Sequence, residues 1–96
     1  MILEHALLSV KPGQEAAFES ALVEAKPLIA ASPGFRSIAV CKACETPGRY
    51  LLLVEWNDIA SHREGFRRSE RYAEWRRLLH GFYDPMPTVA YFGEAL

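Results

Sequence analysis

His62 is the residue whose type and position most directly suggest acid–base chemistry. It falls between Ile59 and Phe66 on the apolar side of a predicted short helix. A neutral imidazole, with an ordinary pKa of about 6.5, accepts protons near neutral pH, so His62 is a candidate general base. The alternative is a buried structural histidine whose ring nitrogens are satisfied by other protein groups.

The stretch from Arg63 to Arg77, REGFRRSERYAEWRR, combines six arginines with three aromatic residues. Nucleic-acid-binding surfaces use such mixtures, but they need exposed aromatic rings beside the basic groups. Helical periodicity instead puts Tyr72 and Trp75 on one face, with Glu74 and Arg77 on the opposite face. The chain also has 12 acidic against 11 basic residues, a net charge of -1. The sequence therefore predicts an aromatic wall facing the core and no nucleic-acid binding.

Other patterns with chemical meaning are sparse. Cys41 and Cys44 form a CxxC, but residues three apart in a predicted strand point to opposite faces, so a redox pair or zinc site is not expected. His80 projects away from the aromatic face and is predicted at the surface or at a helix end. No glycine-rich phosphate loop or metal-ligand spacing occurs. We expect no cofactor and no metal.

The whole-chain properties describe one small soluble domain. Ninety-six residues suit a single domain spanning residues 1–96,. The opening MILEHALLSV has no basic leader, and no apolar run reaches the roughly 18 residues of a membrane span. These features predict a cytoplasmic chain that does not enter a membrane.

Hydrophobic periodicity and turn signals predict four strands and two helical segments, the second of them split into a short and a longer helix. Pro27 is expected to kink or divide the first helix, because proline lacks an N–H donor. The order βαββαβ fits a ferredoxin-like α+β sandwich with helices on one face of an antiparallel sheet. The predicted elements are a strand over 2–10, a helix from 14 to about 31, strands over 35–44 and 50–56, a short helix after 57–58, a helix over 69–82 and a strand over 88–92.

The first and third strands are the most continuously apolar. The segment YLLLVEW hardly alternates, which indicates that both of its faces are covered,. These strands are central in a ferredoxin-like sheet, whose helices cover only one face. The other face is expected to pair with a second copy of the chain in a symmetric homodimer.

The segment LLLVEWNDIASHREGFRRSERYAEWRRLLHGFYDPMPTVAYF, with the opening SVKPGQEAAFESAL and the later SPGF, resembles the antibiotic biosynthesis monooxygenase (ABM) family. The resemblance covers nearly the whole chain and implies a ferredoxin-like fold that pairs as a dimeric α+β barrel. Family members include cofactor-independent oxygenases that convert polycyclic phenols or anthrones to quinones, and heme-degrading enzymes. The two positions that serve heme in the latter branch correspond here to Ala6 and Leu78, so heme degradation is not expected.

Cofactor-free oxygenation needs a base, hydrogen-bond donors and apolar walls around a substrate anion that can pass an electron to dioxygen. The expected substrate is a small aromatic or phenolic molecule. A non-catalytic binding or structural dimer of the same fold is the rival interpretation, and a cofactor-free isomerase or lyase is a third. We predict His62 as the base, Arg67 and Trp75 as donors, Trp56, Phe66 and Tyr72 as walls, and Arg71 and Tyr83 as further substrate-binding residues.

Overall fold

A computed structural model describes all 96 residues as one α+β unit with the predicted element order. A π-helical turn, Ser61–Phe66, and the 3₁₀ turn His80–Phe82 flank the second helix, which accounts for the predicted split. Asp58 starts the π-helical turn by accepting the Ser61 backbone N–H, and Ser69 caps the second helix by accepting from Tyr72 N–H,. The regular elements are β1 (Ile2–Ser9), α1 (Glu15–Ala30), β2 (Phe35–Lys42), β3 (Arg49–Trp56), α2 (Glu70–Leu79) and β4 (Ala90–Phe92).

The four strands form one antiparallel sheet in the order β2-β3-β1-β4. The two most apolar strands, β1 and β3, are therefore central, as predicted. The register places Glu4 opposite Val54 of β3 and opposite Tyr91 of β4. Side chains alternate between the two faces, so Glu4 and Tyr91 lie on the same side of the sheet.

The core lies between the sheet and the helices. Strands β1 and β3 contribute alternate residues to it, and α1 contributes a stripe at helical spacing,. The expectation that Pro27 divides α1 is wrong, because the helix runs unbroken to Ala30. Pro27 lies in the last turn on the exposed side, where the loss of one backbone hydrogen bond is tolerated,. The core residues of α1 are Phe18, Leu22, Ala25 and Ile29.

The opposite face of the sheet has no helix over it. Leu7 remains 49% exposed and Phe92 51% exposed on this face, which we call the open face. Leu3, Leu51 and Leu53 share it with Leu7, so the middle of the face is mainly apolar, with His5 and Glu55 as polar neighbours. No helix is long and apolar enough to cross a membrane. The homodimer predicted through the open face stays a prediction.

Candidate active site

A cavity of about 140 Å³ lies between the helix-facing side of the sheet and the second helical segment, which consists of the π-helical turn and α2. Glu4, Ala6 and Leu8 of β1 form its floor, together with Leu52 of β3. Its walls come from the π-helical turn, from α2 and from the segment between α2 and β4. The lining is mainly apolar, with a few polar groups brought to one end, as is usual for small-molecule sites.

Aromatic side chains form one wall. The Phe66 ring contacts those of Tyr72 and Trp75 edge to face, with centroids 5.4 and 5.7 Å apart,. All three residues line the cavity, so the structure brings these predicted site residues together. Trp56 is different. It is completely buried behind His62, with ring centroids 5.3 Å apart, and it does not line the cavity.

His62 is buried, with 3% of its surface exposed, in the π-helical turn. Its Nδ1 lies 2.6 Å from the Tyr91 hydroxyl, and its Nε2 lies 3.4 Å from Oε1 of Glu4. Burial is the main cause that lowers the pKa of His62 to about 4, and the positive charges of Arg67 and Arg63 add to it,. The imidazole is therefore neutral at pH 7, and both of its nitrogens face protein groups.

Glu4 is a site residue that the sequence analysis missed. Only 4% of its surface is exposed, and its Oε1 accepts a 2.9 Å hydrogen bond from the indole N–H of Trp56. Burial raises the pKa of Glu4, against the opposing effects of the Trp56 hydrogen bond and the positive Arg67,. One signal was available: Glu4 alternates with Ala6 and Leu8, so its side chain had to share their buried face.

The two arginines predicted to bind substrate have different positions. Arg67 lines the cavity, is also exposed to solvent, and forms no ion pair with the protein. Arg71 does not line the cavity. Its Nη2 lies 3.5 Å from the Ser32 hydroxyl beyond α1, and its Nε is buried without a partner. The predicted role of Arg71 in substrate binding is not supported by this position.

The segment that follows α2 closes the cavity. Tyr83 is buried, and burial raises the pKa of its hydroxyl, which keeps it a hydrogen-bond donor. The prediction that His80 lies at a helix end is confirmed, since it is the C-cap residue of α2. The alternative, a surface position, is wrong, because His80 lines the cavity between Tyr72 and Tyr83. Helical periodicity did not predict that His80 lines a cavity, because the chain returns over this side of α2 and brings Met86 to the same cavity.

Three further expectations concern residues at or beyond the site. Ala6 lies in the cavity floor, whereas Leu78 lies outside the lining, and neither side chain carries an atom that ligates iron. Cys41 and Cys44 are both exposed free thiols, and neither lines the cavity. Cys44 follows the end of β2 at Lys42, so β2 is two residues shorter than predicted.

The sequence over residues 1–78 matches the family described as "Antibiotic biosynthesis monooxygenase". The chain therefore belongs to the ABM family, as its motifs suggested. The matched region contains Glu4, His62 and Arg67, and it ends before His80 and Tyr91.

Individual relatives agree with this assignment. The "Uncharacterized protein YczJ" of Bacillus subtilis (strain 168) is 46% identical over 92 residues, covering 96% of this chain and 97% of that protein. A crystal structure from Bordetella bronchiseptica, titled with the same family name, is 35% identical with a TM-score of 0.94, covering 99% of this chain and 97% of the other. SnoaB of Streptomyces nogalater, described as a cofactor-independent oxygenase, has a TM-score of 0.86 at 17% identity, covering 99% and 93%. That last likeness shows the shared fold alone.

Proposed function

We propose that the protein is a cofactor-independent monooxygenase that oxidises a small phenolic substrate in this cavity. One observation carries the proposal: a buried carboxyl–imidazole pair lies at one end of an aromatic-walled cavity, beside an arginine that has no ion-pair partner. A proton acceptor, a cationic group and dry walls are what the ionisation of a phenol requires. Membership of the ABM family supports the reaction class.

The proposed reaction needs no external reductant. Conversion of a phenol to a quinone removes four electrons from the ring, and one dioxygen molecule accepts four. The hydroxyl O–H bond, the ring C–H bond para to it and the O–O bond break. One oxygen atom becomes the new carbonyl and the other leaves as water. Ionisation of the hydroxyl comes first, because the phenolate gives up an electron to dioxygen more easily than the neutral phenol.

The residue roles follow from the positions in the cavity. The Glu4–His62 pair receives the substrate proton, which extends the role predicted for His62 alone. Arg67 and the indole N–H of Trp75 stabilise the resulting oxyanion, since both groups line the cavity and neither is paired with a protein acceptor,. Phe66, Tyr72 and Tyr83 hold the ring, and Trp56 instead supports Glu4.

The size of the cavity favours a substrate with one aromatic ring inside it. A volume of about 140 Å³ is close to that of an engineered apolar cavity of about 150 Å³ that binds benzene,. A fused tricyclic phenol would need far more space. Met86 is 53% exposed and contributes to the lining, so a substituent on the ring would leave the cavity past this side chain. The proposed substrates are therefore single-ring phenols, together with hydroquinones that keep a ring C–H bond, which the same four-electron oxidation converts to hydroxyquinones.

The test is turnover of a panel of single-ring and fused-ring phenols, with product analysis and the variant His62→Gln. We expect quinone formation from single-ring members and a fall in kcat of about 100-fold or more in the variant. The matched control is His5→Gln, since His5 lies on the open face and does not line the cavity. Unchanged turnover in His62→Gln would remove His62 from the mechanism.

A non-catalytic binding protein of the same fold is the second candidate. The observation that favours it is that both nitrogens of His62 already face protein groups, as in a structural histidine. Such a protein would bind phenols in the cavity without consuming oxygen. An isomerase or lyase would release a changed product, also without oxygen consumption, so product analysis separates the three candidates.

The proposed assembly is a homodimer formed through the open face. Covering this apolar face would remove exposed leucine and phenylalanine surface from water, which is the main driving force for association,. The cavity lies between the sheet and the helices, so the proposed pairing covers the face of the sheet opposite to it.

A further inference from the structure

The two members of the carboxyl–imidazole pair are not equally placed to receive a proton. Tyr91 occupies the Nδ1 side of His62, and Glu4 occupies the Nε2 side. If Nε2 bears the proton, Nδ1 accepts from the Tyr91 hydroxyl; if Nδ1 bears it, the Nε2 lone pair faces Glu4. In either tautomer, a bound molecule would have to displace a protein group to reach a ring nitrogen.

Glu4 offers an unused oxygen. Its Oε1 faces both Trp56 and His62, whereas its Oε2 bonds to no protein group. Among the fully enclosed side-chain nitrogen and oxygen atoms, only Nε of Arg71 lacks a hydrogen-bond partner. Oε2 of Glu4 also lacks a partner, so it is not one of the fully enclosed atoms. Because Glu4 lines the cavity, this oxygen is accessible to a bound molecule.

We propose that Oε2 of Glu4 takes the proton from the substrate hydroxyl, and that His62 and Trp56 are positioning residues that fix the carboxylate through Oε1. This assignment rests on the proposed function. The substrate O–H bond breaks, an O–H bond forms on Glu4, and the electron pair stays on the substrate oxygen. The negative charge thus moves from Glu4 to the substrate, so the total charge in the cavity does not change.

The charged and titratable groups around Glu4 favour this direction of transfer. His62 and Arg67 face it from the π-helical turn and the residue that follows, and Tyr91 lies beside it on β4. An imidazole with a pKa of about 4 is a weaker proton acceptor than a carboxylate whose pKa is raised from 4.5,. Arg67 remains positively charged and stabilises the phenolate that the transfer creates.

The experiment uses 4-cyanophenol, which is chiefly neutral in solution at pH 7 and whose anion absorbs at longer wavelength. Its spectrum is recorded when bound to the native protein, to Glu4→Gln and to His62→Gln, at matched occupancy. Glu64→Gln is the control, because Glu64 is an exposed carboxylate that pairs with Arg68. We expect a phenolate band with the native protein and with Glu64→Gln, formed without release of a proton to a pH indicator because Glu4 keeps the proton. In Glu4→Gln, which has no carboxylate to take the proton, a phenolate band can form only with release of one proton to the solvent, and in His62→Gln the band should weaken because the carboxylate is less firmly held.

A second measurement does not depend on how well a variant folds. Infrared difference spectra of the native protein, with and without the phenol, should gain the C=O stretch of a protonated carboxylic acid. A phenolate band that forms in the native protein with release of a proton to the solvent, or without a gain in this C=O stretch, would overturn the assignment to Glu4. Binding of the phenol in its neutral form to the native protein would also overturn it. Failure of the native protein to bind any single-ring phenol would instead overturn the proposed function.

Discussion

The burial of His62 predicts a pH dependence of folding. Burial first, and then Arg67 and Arg63, lower the pKa of His62 from 6.5 to about 4 in the folded protein. The unfolded chain therefore binds this proton more readily. The stabilisation is fully present above pH 6.5 and is lost as the pH falls toward 4,. Between pH 7 and pH 5 the free energy of unfolding should fall by about 2 kcal/mol because of His62. The full pH-dependent change from this residue is about 3 kcal/mol.

The perturbation that isolates this effect is His62→Gln, which keeps a polar side chain but cannot take up the proton. The titration of Glu4 changes the stability of the fold in the opposite direction. Burial raises its pKa, so its protonation stabilises the folded state as the pH falls,. The comparison is therefore made in the Glu4→Gln background, with urea unfolding at pH 7 and pH 5. The protein that retains His62 should lose about 2 kcal/mol more than its His62→Gln counterpart, or about 8–15 °C in Tm.

His5 provides the control for the pH dependence assigned to His62. His5→Gln, in the same background, removes a histidine from the open face and should retain the full pH-dependent loss. Equal losses with and without His62 would show that His62 titrates as an ordinary exposed histidine. The neutral buried imidazole, and with it the described Glu4–His62 geometry, would then be wrong.

Three further predictions concern the cavity and the open face. Arg67→Met should weaken binding of phenolate probes by about 10- to 100-fold in titration, because a charge-assisted hydrogen bond is lost, whereas Arg68→Met at the neighbouring position, which does not line the cavity, should bind normally,. Tyr91→Phe should destabilise the fold by about 1–2 kcal/mol in urea unfolding at pH 7, since Nδ1 of His62 loses its partner; an unchanged midpoint would contradict that hydrogen bond,. Leu53→Asp should convert a dimer to a monomer in light scattering, and a native protein that is monomeric at micromolar concentration would refute pairing through the open face,.

Much of the fold could be predicted because its signals are local. The nearly continuous apolar runs of β1 and β3 predicted their place at the centre of the sheet, and helical spacing turned Tyr72 and Trp75 toward the core. Pro27 was misjudged because the cost of a proline depends on its position in the helix. The predicted kink or division did not divide α1, because Pro27 lies in its last turn,.

The polar part of the site could not be predicted in the same way, since it depends on contacts between distant segments. His62 and Tyr91 meet across 29 residues, and Trp56 and Glu4 meet across 52. Pairing register and side-chain rotamers decide such contacts, and periodicity does not report either. Arg67 and Arg71 are only four residues apart, yet just the first lines the cavity.

Oxygen consumption, measured together with product formation, tests most directly whether this protein is an oxygenase. The purified protein is mixed with single-ring phenols and hydroquinones, and a heat-denatured sample serves as the control. We predict that a phenol is converted to its quinone with one dioxygen consumed per quinone, and that one atom of labelled dioxygen appears in the product. Phenol binding with no oxygen uptake above the denatured control, across the whole panel, would contradict the claim that this protein is an oxygenase.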